Sequence, residues 1–353
     1  MRAAVLSERK PQLEVQEIAD PVLTPGSAIV KVLAAPVLPY LGEVMSGEMP
    51  YPLVLPIIPG TSGVGIVEEV GSDASNIKKG DLVFCDSCIR ARDEAIGPQT
   101  ILQGLFCPDG QLSDVYRHGT LAEKVLTPLE NIYVIPKSLG TDAAKLTCIN
   151  QQLVPYGGLL AGNFGPGQTL LMLGGTGHFG SCAIGVALAM GARRVVVPGR
   201  NMQRLAPIID KFGGRVVAVP LTENEDENIA AFKNAADGPI DLVLELLGAT
   251  APQTLLRAAL LSLRSNGTGV IMSGRIDNLE MPFTPLMTKA LTIKGNFMYP
   301  RTAVISLLSL MEAGLIDVNW FEVNGKFSLD DIDKGIKHAK DTAEAFKLTV
   351  VTP

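Results

Sequence analysis

The period of the hydrophobic positions changes part-way along the chain. Up to about residue 135, apolar and polar residues alternate over short runs broken by frequent Pro and Gly, the pattern of half-buried strands joined by turns. Strands are expected at 2–6, 13–18, 28–35, 63–70 and 82–84, with a turn-rich connection, GSDASNIKKGD, over 71–81. From about Thr141 the spacing lengthens to the helical period in DAAKLTCINQQLVPYGGLLAG. After it, short apolar runs alternate with helical ones, as βαβ units require. Strands of this half are expected at 169–173, 193–197, 215–219, 242–246, 269–272 and 291–296. Six strands with helices between them predict an α/β fold built on a doubly wound parallel sheet. The acidic run ENEDEN, 223–228, reads as a solvated loop entering a helix. Beyond Pro300 the pattern predicts a helix over 301–314, a strand near 320–327, a helix over 328–340 and a strand over 347–351.

The sharpest local signal is TLLMLGGTGHFG, 169–180, followed by the small-residue helix SCAIGVALAMGA. Gly175, Gly177 and Gly180 spell G-x-G-x-x-G between a strand and a helix. Such a turn on its own is often only a turn; the flanking elements make this one a dinucleotide fingerprint. Gly175 is expected to permit the tight turn, Gly177 to let a pyrophosphate approach the backbone, and Gly180 to let the helix pack on the strand. The phosphates would sit on the free N–H groups at the helix start, so Gly175, Thr176, Gly177, His178, Phe179 and Gly180 are all expected to contact cofactor.

The next strand points to NADP(H). It ends in Pro198-Gly199-Arg200-Asn201, and no carboxylate follows it until Asp210. An NAD site would place an acid here for the ribose 2′-hydroxyl; an NADP site brings an Arg to the 2′-phosphate. Arg200, with Arg204 one turn on, suits the second, Gly199 giving the backbone room. The plain alternative is that both arginines are solvated charges at a helix start. The later strand ends, LELLGA (closing at Ala249) and MSGR, add Gly248, Ser273 and Gly274 as candidate contacts near the nicotinamide ribose.

Composition narrows the field. A chain of 353 residues suggests two domains, and 47% hydrophobic against 19% charged residues leaves ample core. A net charge of −6 argues against nucleic acid as the main partner. No apolar run reaches membrane-spanning length, and the alternating start lacks the pattern of a signal peptide. The five cysteines are therefore expected as reduced thiols in a cytoplasmic protein.

Several stretches carry a family resemblance: MRAAVL at the start, VKVLAAPV at 30–37, PIIPGTSGVGIVEEVG at 56–71, KKGDLV at 78–83, the Gly-rich turn, and TIKGNF at 292–297. Together they resemble the medium-chain dehydrogenase/reductase superfamily of zinc alcohol dehydrogenases, quinone oxidoreductases and enoyl reductases. The resemblance implies a β-rich GroES-like barrel domain, residues 1–151 plus 299–353, with a Rossmann domain, 152–298, inserted in it. It also implies an active-site cleft between them and a homodimer formed through the strand near 291–297.

The departures from the family pattern are chemical. Zinc members carry Cys-His where this chain has Leu38 and Pro39, and His-Glu where it has Thr61 and Ser62; their third ligand falls at Asn150. Leu and Pro offer no ligand atom, and a catalytic zinc needs three protein ligands, so none is expected. Cys85, Cys88 and Cys107 fall in the region of the family's structural zinc lobe, but that site takes four ligands and His118 would complete it only by chance of folding. Ordinary thiols are the favoured reading, with Cys148 and Cys182 as small core residues.

Without a Lewis acid the alkoxide chemistry of alcohol oxidation loses its support, whereas an enolate spreads its charge and can be stabilised by hydrogen-bond donors. Metal-free members of the family reduce enones, enoyl thioesters or quinones, and the resemblance implies the same for this chain with a small apolar substrate. Tyr40 stands where zinc members carry a proton-relay hydroxyl, and its phenol suits a proton donor; the alternative is a ring packed beside Pro39. Thr61, Ser62 and Tyr299 are candidate pocket residues, with filler or core as the alternative. Two rivals stay open: a metal-free carbonyl reductase or alcohol dehydrogenase, and an NADPH-binding sensor or structural protein without turnover.

Overall fold

The computed structural model describes residues 1–248, 251–275 and 277–353; Ala249, at the end of the LELLGA stretch, lies outside them. The chain divides into two compact units. The first comprises Met1–Asn150, Asp317–Ala343 and Lys347–Pro353, the second Gln151–Ile316 and Glu344–Phe346. The return to the first unit thus comes at Asp317, later than the expected 299. The helix Thr302–Glu312, which buries Ala303, Val304, Leu307, Leu308 and Met311, belongs to the second unit.

The first unit is built on a seven-stranded sheet. Its strands are β3 (Ser27–Pro36), β4 (Gly63–Val70), β5 (Leu82–Cys85), β8 (Lys124–Pro128), β9 (Ile132–Val134), β16 (Glu322–Phe327) and β17 (Lys347–Val351). The order is β16-β17-β3-β4-β5-β9, with β8 also paired to β3. Every contact is antiparallel except β16 with β17. The longest strand, β3, is buried on both faces apart from Lys31 and Leu33, so the expected half-buried alternation gives way to a core strand. Its pairing with β4 shifts register twice, between Ile29 and Val30 and between Val32 and Ala34, and such bulges bend a sheet. Two small hairpins, β1 (Arg2–Val5) with β2 (Glu14–Glu17) and β6 (Cys88–Arg90) with β7 (Thr100–Leu102), complete this unit's strands.

The second unit holds six parallel strands: β10 (Thr169–Leu173), β11 (Arg194–Gly199), β12 (Val216–Pro220), β13 (Leu242–Glu245), β14 (Thr268–Ile271) and β15 (Thr292–Gly295). Their order is β12-β11-β10-β13-β14-β15. The chain winds outward to one side of β10 and then crosses to the other, which opens a crevice at the carboxyl end of β10. Leu171, Val196, Val243, Phe232, Leu256 and Leu260 form part of the core between sheet and helices. ENEDEN lies mostly within a helix: Glu225–Ala236 begins with three acids in its first turn, where the helix dipole favours them, and Asn224 caps it through the Glu227 N–H. Glu225 also pairs with Arg257 through two N–H donors. No helix among the described residues is long and apolar enough to cross a membrane.

Candidate dinucleotide site and neighbouring hydroxyls

The crevice is shaped first by its glycines. All five residues of β10 are buried. The turn after it is made at Gly174, whose φ of +84° is left-handed, and the Gly177 N–H closes it onto the Gly174 carbonyl at 3.0 Å. Gly175 lies inside this 174–177 turn, and the left-handed residue is Gly174, which opens it. Gly175 has another constraint: a Cβ there would fall inside the side chain of Val197 on β11. A Cβ on Gly180 would collide with the Gly174 carbonyl, so this residue lets the helix His178–Ala189 sit against the turn. Gly177 caps that helix, and the nearest atom a Cβ would meet is the Gly174 oxygen at 3.3 Å. A side chain at 177 would thus project into largely open space.

That space is part of a cavity of about 380 Å³, lined among others by Gly174, Thr176, Gly177, Gly199, Arg200 and Gly248. Arg200 is exposed and makes no ion pair among the described residues. It follows β11 immediately, before Asn201, whose side chain caps the helix Met202–Phe212 by accepting from Gln203 and Arg204 N–H at 2.9 and 3.3 Å. Arg204 is exposed on the first turn of that helix and does not line the cavity. Glu223, beyond the end of β12, does line it. The sequence reading passed over Glu223 because it sought an acid after β11 alone. Glycine-lined backbone, a helix start with free N–H groups and an unpaired guanidinium suit a phosphate-bearing ligand.

Ser273 and Gly274 fall differently. The Ser273 hydroxyl donates to the fully buried carboxylate of Glu245, and Gly274 beyond it is exposed. Glu245 is a residue the sequence reading missed, although an acid inside the apolar run LVLELL was a visible signal. Arg275 donates to the Gly248 carbonyl at 3.3 Å and pairs with Asp277, whose carboxyl it holds down at about 2. His178 opens its helix with Nδ1 2.8 Å from Gln151 and its ring edge-to-face with Phe179.

The hydroxyl candidates of the first unit form their own group. Tyr40 immediately precedes the helix Leu41–Ser46, and its ring meets Tyr51 edge-on at 6.4 Å; Tyr51 meets Phe106 at 5.9 Å. Burial first, then the neighbouring Tyr51, pushes the Tyr40 phenol well above its ordinary range, so it keeps its proton. Tyr51 and Phe106 were missed because nothing in the sequence pattern joins them to Tyr40. Thr61 is 4% exposed, and its Oγ1 is buried without a hydrogen-bond partner among the described residues. Ser62 is less open to a ligand: its hydroxyl lies 3.1 Å from Ser87 Oγ and accepts the Ser87 N–H. Tyr299, expected in the pocket, is 2% exposed and packs against Gly157 inside the second unit, a core position.

No three His, Cys, Asp or Glu side chains among the described residues gather as a metal-holding group. All five cysteines are buried and none is in a disulfide, and burial pushes Cys85 up to about 12 and Cys107 to about 11. His118 Nδ1 accepts the Ile58 N–H at 3.1 Å.

Two family models match the chain: the alcohol dehydrogenase GroES-like domain over residues 24–137 and the zinc-binding dehydrogenase family over 179–313. Acryloyl-coenzyme A reductase of Sulfurisphaera tokodaii is 25% identical over 351 residues, 99% of each chain. An alcohol dehydrogenase of Geobacillus stearothermophilus is 26% identical over 324 residues, 90% of each chain. Among solved structures, 2R,3R-butanediol dehydrogenase of Bacillus subtilis superposes with a TM-score of 0.82 at 22% identity, over 100% of this chain and 99% of that one. The chain belongs to the medium-chain dehydrogenase/reductase superfamily, with a GroES-like part and a Rossmann-type part.

Proposed function

We propose that this protein is a zinc-independent, NADPH-dependent reductase acting on an activated C=C, in an enone or enoyl thioester, or on a quinone, of a small apolar substrate. The observation that carries the metal-free reading is the residue set at the family's ligand places: Leu38, Pro39, Thr61, Ser62 and Asn150. Two of these have no donor atom at all, and Ser62 is already bound to Ser87. The name of one similar protein, acryloyl-coenzyme A reductase, describes reduction of a conjugated thioester and supports the C=C reading. Arg200, unpaired at the cavity, supports NADPH over NADH; Glu223 on the same cavity is the feature that counts against it.

When bound, the reduced dinucleotide supplies hydride. The chain's own part is to hold the phosphates on the turn 174–177 and to stabilise the enolate oxygen of the substrate. Tyr40, kept protonated by burial, is the donor assigned to the enolate carbon, and Thr61 Oγ1 is a free hydroxyl for the substrate oxygen. The exposed edge strand β15 and Phe297, 55% exposed, support a homodimer that continues the sheet. The buried thiols suit a reducing cytoplasm.

The alcohol dehydrogenases among the relatives favour a second reading, metal-free reduction of C=O. NADPH oxidation with a matched enone and saturated ketone separates the two. Turnover of the ketone alone sinks the C=C reading, and tight NADPH binding without turnover of any carbonyl, enone or quinone sinks both. Elemental analysis returning one equivalent of zinc required for activity would overturn the metal-free mechanism.

A further inference from the structure

Glu245 closes β13 and is fully buried, and each of its carboxylate oxygens is taken by a different loop. Oε1 accepts the Leu247 N–H at 2.8 Å and Oε2 accepts the Ser273 N–H at 3.1 Å. The Ser273 hydroxyl lies 2.7 and 2.8 Å from the two oxygens. A carboxylate suits this pair of backbone donors because it accepts on both sides. A glutamine in its place would set its own N–H against one of them. The bond to Leu247 holds the chain two residues past the strand, and the bonds to Ser273 tie that segment to the loop after β14. A further tie runs the other way, from Arg275 to the Gly248 carbonyl at 3.3 Å. The tied segment is a wall of the cavity, which Leu246, Leu247 and Gly248 all line. It abuts the Gly-rich turn: the Leu246 N–H donates to the Leu173 carbonyl at 3.2 Å, and a Cβ on Gly174 would fall 2.3 Å from the Leu246 oxygen. Sheet order decides which part of a dinucleotide reaches this wall. β11 and β12, followed by Arg200 and Glu223, lie to one side of β10, and β13, β14 and β15 to the other. With the pyrophosphate at the turn and the 2′-phosphate at Arg200, the adenosine half covers the first side and the nicotinamide half the second.

We infer that Glu245 is a positioning residue for the nicotinamide half of the dinucleotide: through Leu247 and Ser273 it holds the wall 246–248 in the form on which that half rests. The inference rests on the cofactor reading above and deepens it. Buried beneath the wall, Glu245 acts on the cofactor only through these two residues.

Two ligands separate the halves: NADPH, and adenosine 2′,5′-bisphosphate, which keeps the adenosine and the 2′-phosphate and lacks the nicotinamide. Calorimetric titration of the full chain with each tests the inference. Glu245→Gln should weaken NADPH about tenfold, the scale of one hydrogen bond to a charged group, and leave the bisphosphate within about twofold of wild type. Ser273→Ala keeps the backbone N–H bond, so it should weaken NADPH no more than about threefold. A merely structural Glu245 would weaken both ligands together or neither, and either pattern in the folded variant overturns the inference. Nitrogen-15 spectra of the wild type give a readout that needs no variant to fold. The amide signals of Leu247 and Ser273 should move on adding NADPH and hold their positions on adding the bisphosphate. Equal movement with both ligands, or none with NADPH, overturns the inference while NADPH binding itself stands. Failure of the wild type to bind NADPH at all sinks the cofactor reading, and this inference with it.

Discussion

Glu245 and Ser273 are bound to each other twice: the buried carboxylate accepts the serine hydroxyl at 2.7 Å and the serine N–H at 3.1 Å. The same carboxylate accepts the Leu247 N–H at 2.8 Å. One side chain therefore fixes the loops that follow β13 and β14. Glu245→Ala leaves three part-buried donors without their acceptor, and should cost about 2 kcal/mol; Ser273→Ala, which removes one hydrogen bond, should cost about 1 kcal/mol. Urea unfolding measures both. A Glu245→Ala midpoint equal to wild type would show that other contacts hold these loops.

Arg200 divides the two cofactors. It is exposed at the cavity, unpaired among the described residues, and shares the cavity with Glu223. Arg200→Gln should raise the Kd for NADPH about 10- to 100-fold, the scale of a charge-assisted pair, and leave NADH within about threefold. Glu223→Gln should strengthen NADPH binding by removing a like charge. Equal losses for both cofactors in Arg200→Gln would assign Arg200 to the shared part of the dinucleotide.

The glycines of the turn have separable roles. At Gly180 an added Cβ meets the backbone of Gly174, which cannot move aside cheaply, so Gly180→Ala should cost about 3 kcal/mol or more. At Gly177 the nearest contact is 3.3 Å away, and Gly177→Ala should cost under about 1 kcal/mol while weakening dinucleotide binding at least about tenfold. Thermal melting and ligand titration on the same samples read both. A Gly177→Ala variant that binds cofactor normally would show that the pyrophosphate does not approach this residue.

Where local pattern decides, the fold was legible. The five buried residues of β10 and the Gly-rich run after it identify the crevice from sequence. The left-handed backbone at Gly174 was not legible, because the fingerprint begins one residue later, at Gly175. The hairpin of β6 and β7 was missed because each strand has only three residues, too few for a period to show. Tertiary choices were hidden. Ser62 and Ser87 are 25 positions apart, and nothing local says that their hydroxyls meet. Tyr299 reads as an aromatic wall until Gly157, without a side chain, makes room for it in the core. Tyr51 and Phe106 join Tyr40 only through the fold.

Tyr40 carries the proton-transfer proposal. Tyr40→Phe removes the hydroxyl and keeps the ring contact with Tyr51, so kcat on an enone should fall about 10²- to 10⁴-fold with NADPH affinity unchanged. Because burial holds the phenol above its ordinary range, wild-type activity should show no alkaline loss through pH 10, the ordinary phenol value. A wild-type rate that declines with an apparent pKa below 10, and does not do so in Tyr40→Phe, would point to an ionising Tyr40 and against a phenol that keeps its proton.

Two partly buried imidazoles make stability depend on acid. His178 is held at about 3 by burial, and His118 at about 4 by burial and then by Arg117, both below the ordinary 6.5. The unfolded chain takes up these protons as pH falls through about 6.5, whereas the folded chain waits until about 4 and 3. Their contribution is therefore fully present above 6.5 and is lost progressively as pH drops toward 4 and then 3. Between pH 7 and 5 the melting temperature of wild type should fall, and unfolding near pH 5.5 should take up about two protons from this pair. His178→Phe removes one of the two, so its melting curve should depend less steeply on pH over that interval. An unchanged dependence would mean that the folded protein already protonates His178 over this interval.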